Sequence, residues 1–130
     1  MKKMRIEWQR LVDKYGQTCD RCACTGDATD SAFGKLKRSL AEVGIEVLLE
    51  KRTIEQGAFF ANPLQSNQIS IDGRTIEAWL GATTGQSPCC GPCGDSECRT
   101  ISVDDQTYEA IPETIILRAG LLAAAEKLRQ

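Results

Sequence analysis

The sequence contains no histidine, and this absence excludes several kinds of functional site. A Ser-His-Asp triad, a Cys-His nucleophile pair, a His-Glu-x-x-His zinc protease site and a histidine pH switch all need an imidazole side chain. Because imidazole is missing, any soft metal ion bound by this chain would be held largely by sulfur.

The sequence also shows no excess of basic residues and no long hydrophobic segment. Its 16 Lys and Arg residues against 18 Asp and Glu residues give a net charge of −2, whereas nucleic-acid-binding proteins present a basic surface. No stretch reaches the ~18 apolar residues that span a bilayer. Charged side chains interrupt the first 14 residues, where a signal peptide would lie. We therefore expect a cytoplasmic protein that binds neither nucleic acid nor a membrane.

Cysteine is abundant, with seven residues among 130. Disulfides rarely persist in the cytosol, so these cysteines indicate redox or metal chemistry more than structural cross-links. Seven is an odd number, which excludes complete internal pairing. The cysteines form two clusters separated by residues 25–88: Cys19, Cys22 and Cys24, then Cys89, Cys90, Cys93 and Cys98.

The first part of the chain predicts a βαβ unit, within a single domain of residues 1–130. Apolar and polar residues alternate over residues 4–13, as in a half-buried strand. Helix N-cap candidates stand at residues 29–31, and the helical pattern that follows them ends at Gly44. Residues 45–50 predict a second strand, which the helical crossover would place parallel to the first.

The second part predicts a hairpin and a final helix. Asp72-Gly73 separates two runs with β character, residues 68–71 and 74–80, a strong hairpin signal. Residues 58–60 predict a short helix before it, and residues 81–107 predict a loop that carries the second cysteine cluster.

The C-terminal helix is predicted to begin with Pro112 as its first residue. Its buried face is predicted from residues at helical spacing: Leu117, Leu121, Ala124 and Leu128, with Ile115, Ala119 and Leu122 beside them.

The first cysteine cluster contains a Cys-x-x-Cys motif between the first strand and the first helix. Two thiols three residues apart, Cys19 and Cys22, can close a small disulfide ring with little rearrangement. The start of a helix nearby favours thiolate, because free N–H groups and the positive end of the dipole stabilise negative charge. Arg21 would add to this effect and Asp20 would oppose it. Thiolate is the attacking species in disulfide exchange and the ligand for soft metals.

The order of strand, Cys-x-x-Cys, helix, strand, hairpin and final helix resembles the thioredoxin-like superfamily over nearly the whole chain. More narrowly, the sequence resembles a family of small, cysteine-rich prokaryotic proteins classed as a domain of unknown function. The matching stretches are Ile6-Glu7-Trp8-Gln9-Arg10-Leu11, Thr18-Cys19-x-x-Cys22, Ser66-Asn67, Ile71-Asp72-Gly73 and Glu97-Cys98-Arg99-Thr100.

This resemblance implies a thioredoxin-like α/β fold with a central mixed sheet of about four strands flanked by helices. It also implies thiol–disulfide exchange with a protein dithiol or disulfide, in which Cys19 is the nucleophile and Cys22 the resolving thiol. Cys24 would supply an accessory thiol. Two positions depart from the superfamily: Thr18 replaces an aromatic residue, and Gln68 stands where a cis-proline precedes the third strand.

The second cluster supports a different function, that of a non-enzymatic metal-binding protein. Its string Cys90-Gly91-Pro92-Cys93 occurs in thioredoxin's own active site, but it follows the predicted hairpin and no helix pattern comes after it. The glycines and proline allow tight turns. The candidate ligands are Cys89, Cys90, Cys93 and Cys98. Such thiolates can hold zinc, an iron–sulfur cluster, or a thiophilic metal such as mercury or arsenite.

Other interpretations of the cysteines remain open from the sequence. Two pairs, Cys19 with Cys22 and Cys90 with Cys93, could form one joint four-cysteine zinc site. The first cluster could instead consist of partly buried small hydrophobic residues, and the second could be a disulfide-linked or mobile loop. A partner-binding module whose cysteines sense redox state is a third functional class.

Overall fold

The computed structural model describes residues 1–11, 20–54, 66–88 and 97–130. These residues form seven strands: β1 Lys2–Leu11, β2 Ile45–Ile54, β3 Gln68–Ile71, β4 Arg74–Thr75, β5 Thr83–Pro88, β6 Glu97–Val103 and β7 Gln106–Tyr108. They also form three helices: α1 Asp20–Ala41, α2 Ile76–Leu80 and α3 Glu113–Leu128. The α/β class is confirmed, and the short helix predicted at residues 58–60 lies outside the described residues.

β1 and β2 form the parallel pair that the sequence predicts. Their register runs from Lys2 opposite Ile45 to Leu11 opposite Ile54, and α1 connects them. Gly44, between α1 and β2, has a φ of +83°, a left-handed conformation that favours glycine. Its carbonyl accepts a hydrogen bond from the backbone N–H of Lys2 at 3.1 Å. Because α1 ends beside the start of β1, it begins at the opposite, carboxyl end of that strand.

The predicted hairpin extends this pair into a mixed sheet of four strands. β3 pairs antiparallel with β1, with Ile6 opposite Ile71, and β4 returns beside β3. The strand order is β2-β1-β3-β4. Asp72 and Gly73 have φ values of +51° and +81°, the pair of positive angles that a type I′ hairpin turn requires. The Asp-Gly signal therefore identified the turn correctly.

The second strand of this hairpin is much shorter than the predicted run over residues 74–80. Thr75 ends the strand and caps α2, since its Oγ1 accepts a hydrogen bond from the backbone N–H of Ala78 at 3.2 Å. Gly81 ends α2 in the left-handed conformation, with a φ of +66°. Trp79 consequently lies on a helix, where its Nε1 donates to the carbonyl of Ile71 at 3.0 Å.

The prediction of a loop over residues 81–107 is wrong, because much of this segment forms a second, antiparallel sheet of order β5-β6-β7. These strands are rich in Thr, Ser and Gly, which makes their apolar alternation weak. Ile101 and Val103 do alternate, and both are buried. Asp104 and Asp105, with φ values of +53° and +65°, form the turn between β6 and β7.

The C-terminal helix is confirmed, but its predicted buried face is only partly correct, at Ile115, Ala119 and Ala124. The buried residues are Ile115, Ile116, Ala119, Gly120, Ala123 and Ala124. By contrast, Leu121 and Leu128 are 55% and 48% exposed. The reason is close packing of α3 on α1: a Cβ added to Gly120 would lie 2.6 Å from Leu36 Cδ1. A small residue therefore occupies the point of closest contact with α1, at Gly120, whereas Leu121 and Leu128 remain exposed.

The start of α3 is fastened to α1 by polar contacts. Pro112 is the N-cap of α3 and not its first helical residue. Lys35 Nζ lies 2.6 Å from the Glu113 carboxylate, to which Ser31 donates at 2.9 Å. Two hydrogen bonds lower the pKa of the Glu113 carboxyl. The one from Lys35 has the larger effect, and the one from Ser31 has the smaller.

The hydrophobic core joins the first sheet to α1 and α3. Its largest fully buried side chains include Met4, Ile6, Leu36, Ile45, Val47, Ile69, Ile71 and Ile116. Among the described residues, no helix combines the length and apolar character needed to cross a bilayer.

Candidate functional site

The start of α1 differs from the sequence-based expectation. The N-cap candidates at residues 29–31 placed the start of the helix there, but the helix begins at Asp20, directly after Cys19 in the sequence. Thr29 is buried, and its Oγ1 donates to the carbonyl of Thr25 at 2.7 Å. A Thr that bonds back to the preceding turn belongs inside a helix and does not cap it.

This longer helix contains Cys22 and Cys24 near its N-terminus. Cys22 is the third residue of α1, within the first turn, where backbone N–H groups have no intrahelical acceptor. Cys19 and the side chain of Cys22 lie outside the described part of the chain. Cys24 is exposed and forms no disulfide.

The first turns of α1 pack directly on β1 through Trp8. Trp8 is 4% exposed and belongs to the core. A Cβ added to Gly26 would lie 2.5 Å from Trp8 Cη2 and 2.9 Å from Cζ3, a separation that packed atoms do not reach. The missing side chain at Gly26 therefore allows the helix to lie against the indole ring.

Cationic side chains surround the same tryptophan. The guanidinium carbon of Arg10 lies 4.6 Å from the centroid of the Trp8 ring, within the range of a cation–π contact. Lys51 Nζ on β2 lies 6.0 Å from that centroid and forms a salt bridge of 2.9 Å with Asp30 on α1. Arg10 lies in one of the sequence stretches that resemble the family of unknown function. Nothing in the sequence alone assigned it a role.

A short segment before α3 connects α1 to the residues that precede β3. The backbone N–H of Ile111 donates to Thr25 Oγ1 at 3.0 Å. The Nδ2 of Asn67 donates to the carbonyl of Glu109 at 3.2 Å. Asn67 is 2% exposed and has a φ of +57°. Ser66 beside it is fully buried. Ser66-Asn67 is one of the stretches that resemble the family of unknown function. By these contacts, it lies at the same end of the molecule as the start of α1.

The same segment also contacts the hairpin that leads to the second cysteine cluster. Cys98 on β6 pairs with Ser87 on β5, and Ser87 Oγ donates to the Glu109 carboxylate at 3.4 Å. Residues 109–111 thus contact α1 through Thr25 and β5 through Ser87.

Most of the proposed metal ligands lie outside the described residues, namely Cys89, Cys90 and Cys93, as does the side chain of Cys98. Within the described ranges, no three Cys, Asp or Glu residues form a group that could hold a metal ion. Metal binding at the second cluster stays a prediction.

Sequence reasoning missed a buried ion pair next to Cys98. Arg99 and Glu77 are 8% and 5% exposed. Arg99 Nε donates to Glu77 Oε2 at 2.7 Å, and Nη2 donates to the same oxygen. Thr84 Oγ1 donates to it as well, at 3.1 Å. The pair joins α2 to β6, and its two residues are 22 positions apart in the sequence. Hydrophobic periodicity could therefore not reveal it. Arg99 did lie in one of the stretches that resemble the family of unknown function.

Comparison with known proteins places the chain in a family. Residues 4–120 match the family described as domain of unknown function DUF2703. The chain belongs to this family. An uncharacterized protein of Archaeoglobus fulgidus is 40% identical over 115 residues, which cover 88% of this chain and 82% of that relative. No solved structure matches the chain. The expectation of membership in a family of unknown function is therefore confirmed.

Proposed function

We propose that this protein is a thioredoxin-like thiol–disulfide redox protein in which Cys19 is the nucleophile and Cys22 the resolving thiol. The observation that carries the proposal is the start of α1 at Asp20, immediately after Cys19. Free N–H groups at a helix start favour thiolate over thiol. A helix beginning near residue 29 would have left the motif without this stabilisation.

The arrangement of elements supports the thioredoxin-like fold. A parallel βαβ unit is followed by an antiparallel hairpin and a final helix, and the strands form one mixed sheet of order β2-β1-β3-β4. The Cys-x-x-Cys motif comes between the first strand and the first helix, as the resemblance implies. A reducing cytoplasm, which the proposal takes as the compartment, would keep both thiols available.

The proposed reaction is a two-step exchange with a protein disulfide. The Cys19 thiolate attacks one sulfur of the substrate disulfide, forms a mixed disulfide and releases one substrate thiolate. The Cys22 thiolate then attacks Cys19 and releases the second substrate thiolate, leaving a Cys19–Cys22 disulfide. Two electrons pass to the substrate, and an external dithiol restores the reduced motif.

A disulfide-reduction assay tests this proposal, with insulin as substrate and dithiothreitol as reductant. We expect Cys19→Ser to abolish turnover above the uncatalysed rate, because the attacking sulfur is gone. We expect Cys22→Ser to stop after the first step and to accumulate a mixed disulfide at Cys19. The matched control is Cys24→Ser, which removes an exposed thiol of the same helix and should retain turnover. Turnover that survives in Cys19→Ser would rule out the assignment.

Elemental analysis of anaerobically purified protein separates this proposal from the metal-binding alternative. Redox function predicts metal-free protein that turns over disulfide. One zinc per chain together with no turnover would instead favour a metal centre at the second cluster.

A further inference from the structure

The outward face of α3 exposes a contiguous apolar surface. Five large hydrophobic side chains are exposed among the described residues, and three of them lie on this one helix: Leu121, Leu122 and Leu128. Their exposed fractions are 55%, 46% and 48%. Single exposed leucines are common on protein surfaces, whereas a contiguous apolar patch marks an interaction site. Because the opposite face of α3 is already buried in the core, this helix is apolar on both sides, which is typical of a helix that is covered on both sides.

The exposed positions of α3 follow the spacing of a helix–helix contact. Along the outward face, exposed residues recur after four, three, four and three positions: Thr114, Arg118, Leu121, Ala125 and Leu128. We call these five residues the α3 seam. An alternation of three and four positions is the pattern along which two helices pack in a coiled coil. The α3 seam therefore fits another α-helix better than it fits an extended peptide.

A second copy of α3, running antiparallel, complements the α3 seam in shape. When Leu121 of each copy lies opposite Ala125 of the other, each large side chain meets a small one, as in well-packed helix interfaces. One two-fold axis generates both contacts, so a single surface is enough to form the interface.

The same antiparallel register brings an apolar side chain to an apolar cleft. Facing positions move in opposite directions along two antiparallel helices, so Leu128 of one copy lies opposite Arg118 of the other. Arg118 is at the edge of a cleft of about 370 Å³, which is otherwise lined by Trp79, Leu80, Leu121 and Leu122. Leu128 of the second copy would cover this cleft.

Charges at the two ends of the α3 seam also complement each other in this register. Arg129 and Asp105 are exposed, and no salt bridge among the described residues includes either of them. Asp105 follows Asp104, which neutralises Arg118 through a salt bridge of 2.8 Å. Since Arg118 of one copy faces the last turn of α3 in the other, Arg129 of each copy comes next to Asp105 of the other. Opposite charges placed in this way fix the orientation of two partners.

We propose that the protein forms a two-fold symmetric dimer by antiparallel packing of the α3 seam against that of a second copy. The inference does not depend on the redox function, because α3 contains no cysteine. Helices α1 and α3 run in the same direction, since Ser31 contacts Glu113 and Leu36 lies against Gly120. The exposed leucines lie in the C-terminal half of α3, away from the start of α1. The dimer therefore leaves the starts of both α1 helices outside the interface.

Sedimentation equilibrium of the wild-type protein in reducing buffer tests the dimer, since the reductant prevents dimers that are linked by disulfides. We expect the average mass to rise with protein concentration from that of one chain towards that of two. The dissociation constant should be on the order of 10 µM, as for small reversible interfaces. A mass of one chain at every concentration up to about fiftyfold above this value would overturn the inference.

Two substitutions in the α3 seam locate the interface. Leu121→Glu and Ala125→Glu each place a carboxylate where the second copy packs, so we expect the dimer to weaken at least about tenfold. Both residues are exposed in the single chain, so urea unfolding should show that the variants are folded. The matched control is Ala23→Glu, which adds the same charge at an exposed alanine near the start of α1 and should leave the dimer unchanged. A dimer that persists unchanged in Leu121→Glu and Ala125→Glu overturns the α3 seam as the interface.

A double-mutant cycle tests the antiparallel register. Arg129→Gln and Asp105→Asn each remove one charge of the proposed pair, and asparagine tolerates the φ of +65° at position 105. We expect each single change to weaken the dimer about threefold, because the symmetric dimer contains the exposed pair twice. The double variant should be no weaker than either single variant, since both changes remove the same interaction. Losses that simply add, or no loss in either single variant, would contradict the antiparallel register.

Discussion

Replacing Arg99 with methionine is expected to lower the free energy of unfolding by about 3–5 kcal/mol, the usual cost of removing one partner from a buried ion pair. The side chains of Arg99 and Glu77 are only 10% and 7% exposed. The variant would leave the Glu77 carboxylate buried with Thr84 as a hydrogen-bond donor but without a cation. Urea unfolding of the variant and the wild type at pH 7 measures the loss.

Two further variants distinguish the ion pair from ordinary packing. Glu77→Gln combined with Arg99→Met should cost less than the sum of the single changes, because no uncompensated charge remains. The control is Arg118→Met, which removes an exposed salt bridge of 2.8 Å to Asp104 and should cost less than about 1 kcal/mol. Equal losses in Arg99→Met and Arg118→Met would contradict a structural role for the buried pair.

Replacing Gly26 with alanine is expected to destabilise the protein by about 1–2 kcal/mol, although alanine normally favours a helix over glycine. The added Cβ would lie 2.5 Å from Trp8 Cη2, so either the indole or α1 must move. Thermal unfolding measures the change.

Gly34 supplies a matched control on the same helix. A Cβ at Gly34 would meet only Arg38 Nη1, at 3.4 Å, and that flexible end can move. Gly34→Ala should therefore stabilise the protein by roughly 0.5–1 kcal/mol. Opposite signs for the two substitutions support the close contact at Trp8, whereas stabilisation by both would exclude it.

The sequence predicted the first sheet well because its signals are local. Alternation in β1 and the glycine after α1 led to the parallel unit, and Asp72-Gly73 located the hairpin turn. In the candidate site, the position of the Cys-x-x-Cys motif after a strand was visible in the same way. These features depend on neighbours within a few residues.

The errors at the start of α1 and on the buried face of α3 have one physical cause. Small residues allow close packing at both places, and they give no hydrophobic signal in the sequence. The first turns of α1 bury Thr25, Gly26 and Thr29, although the sequence pattern placed the N-cap of this helix at residues 29–31. The buried face of α3 contains Gly120 for the same reason. Contacts such as Arg99 with Glu77 join distant segments, so only the folded chain shows them.

The pairing of Pro88 with Glu97 at the end of the β5–β6 ladder has a consequence for the evolution of the cysteine content. Eight residues, 89–96, separate these two paired positions in the sequence, so a change in their number leaves the register of the ladder intact. The entropic cost of closing a loop grows only slowly with its length. The scaffold can therefore accommodate a gain or loss of thiols between these two strands without any change at the first cysteine cluster.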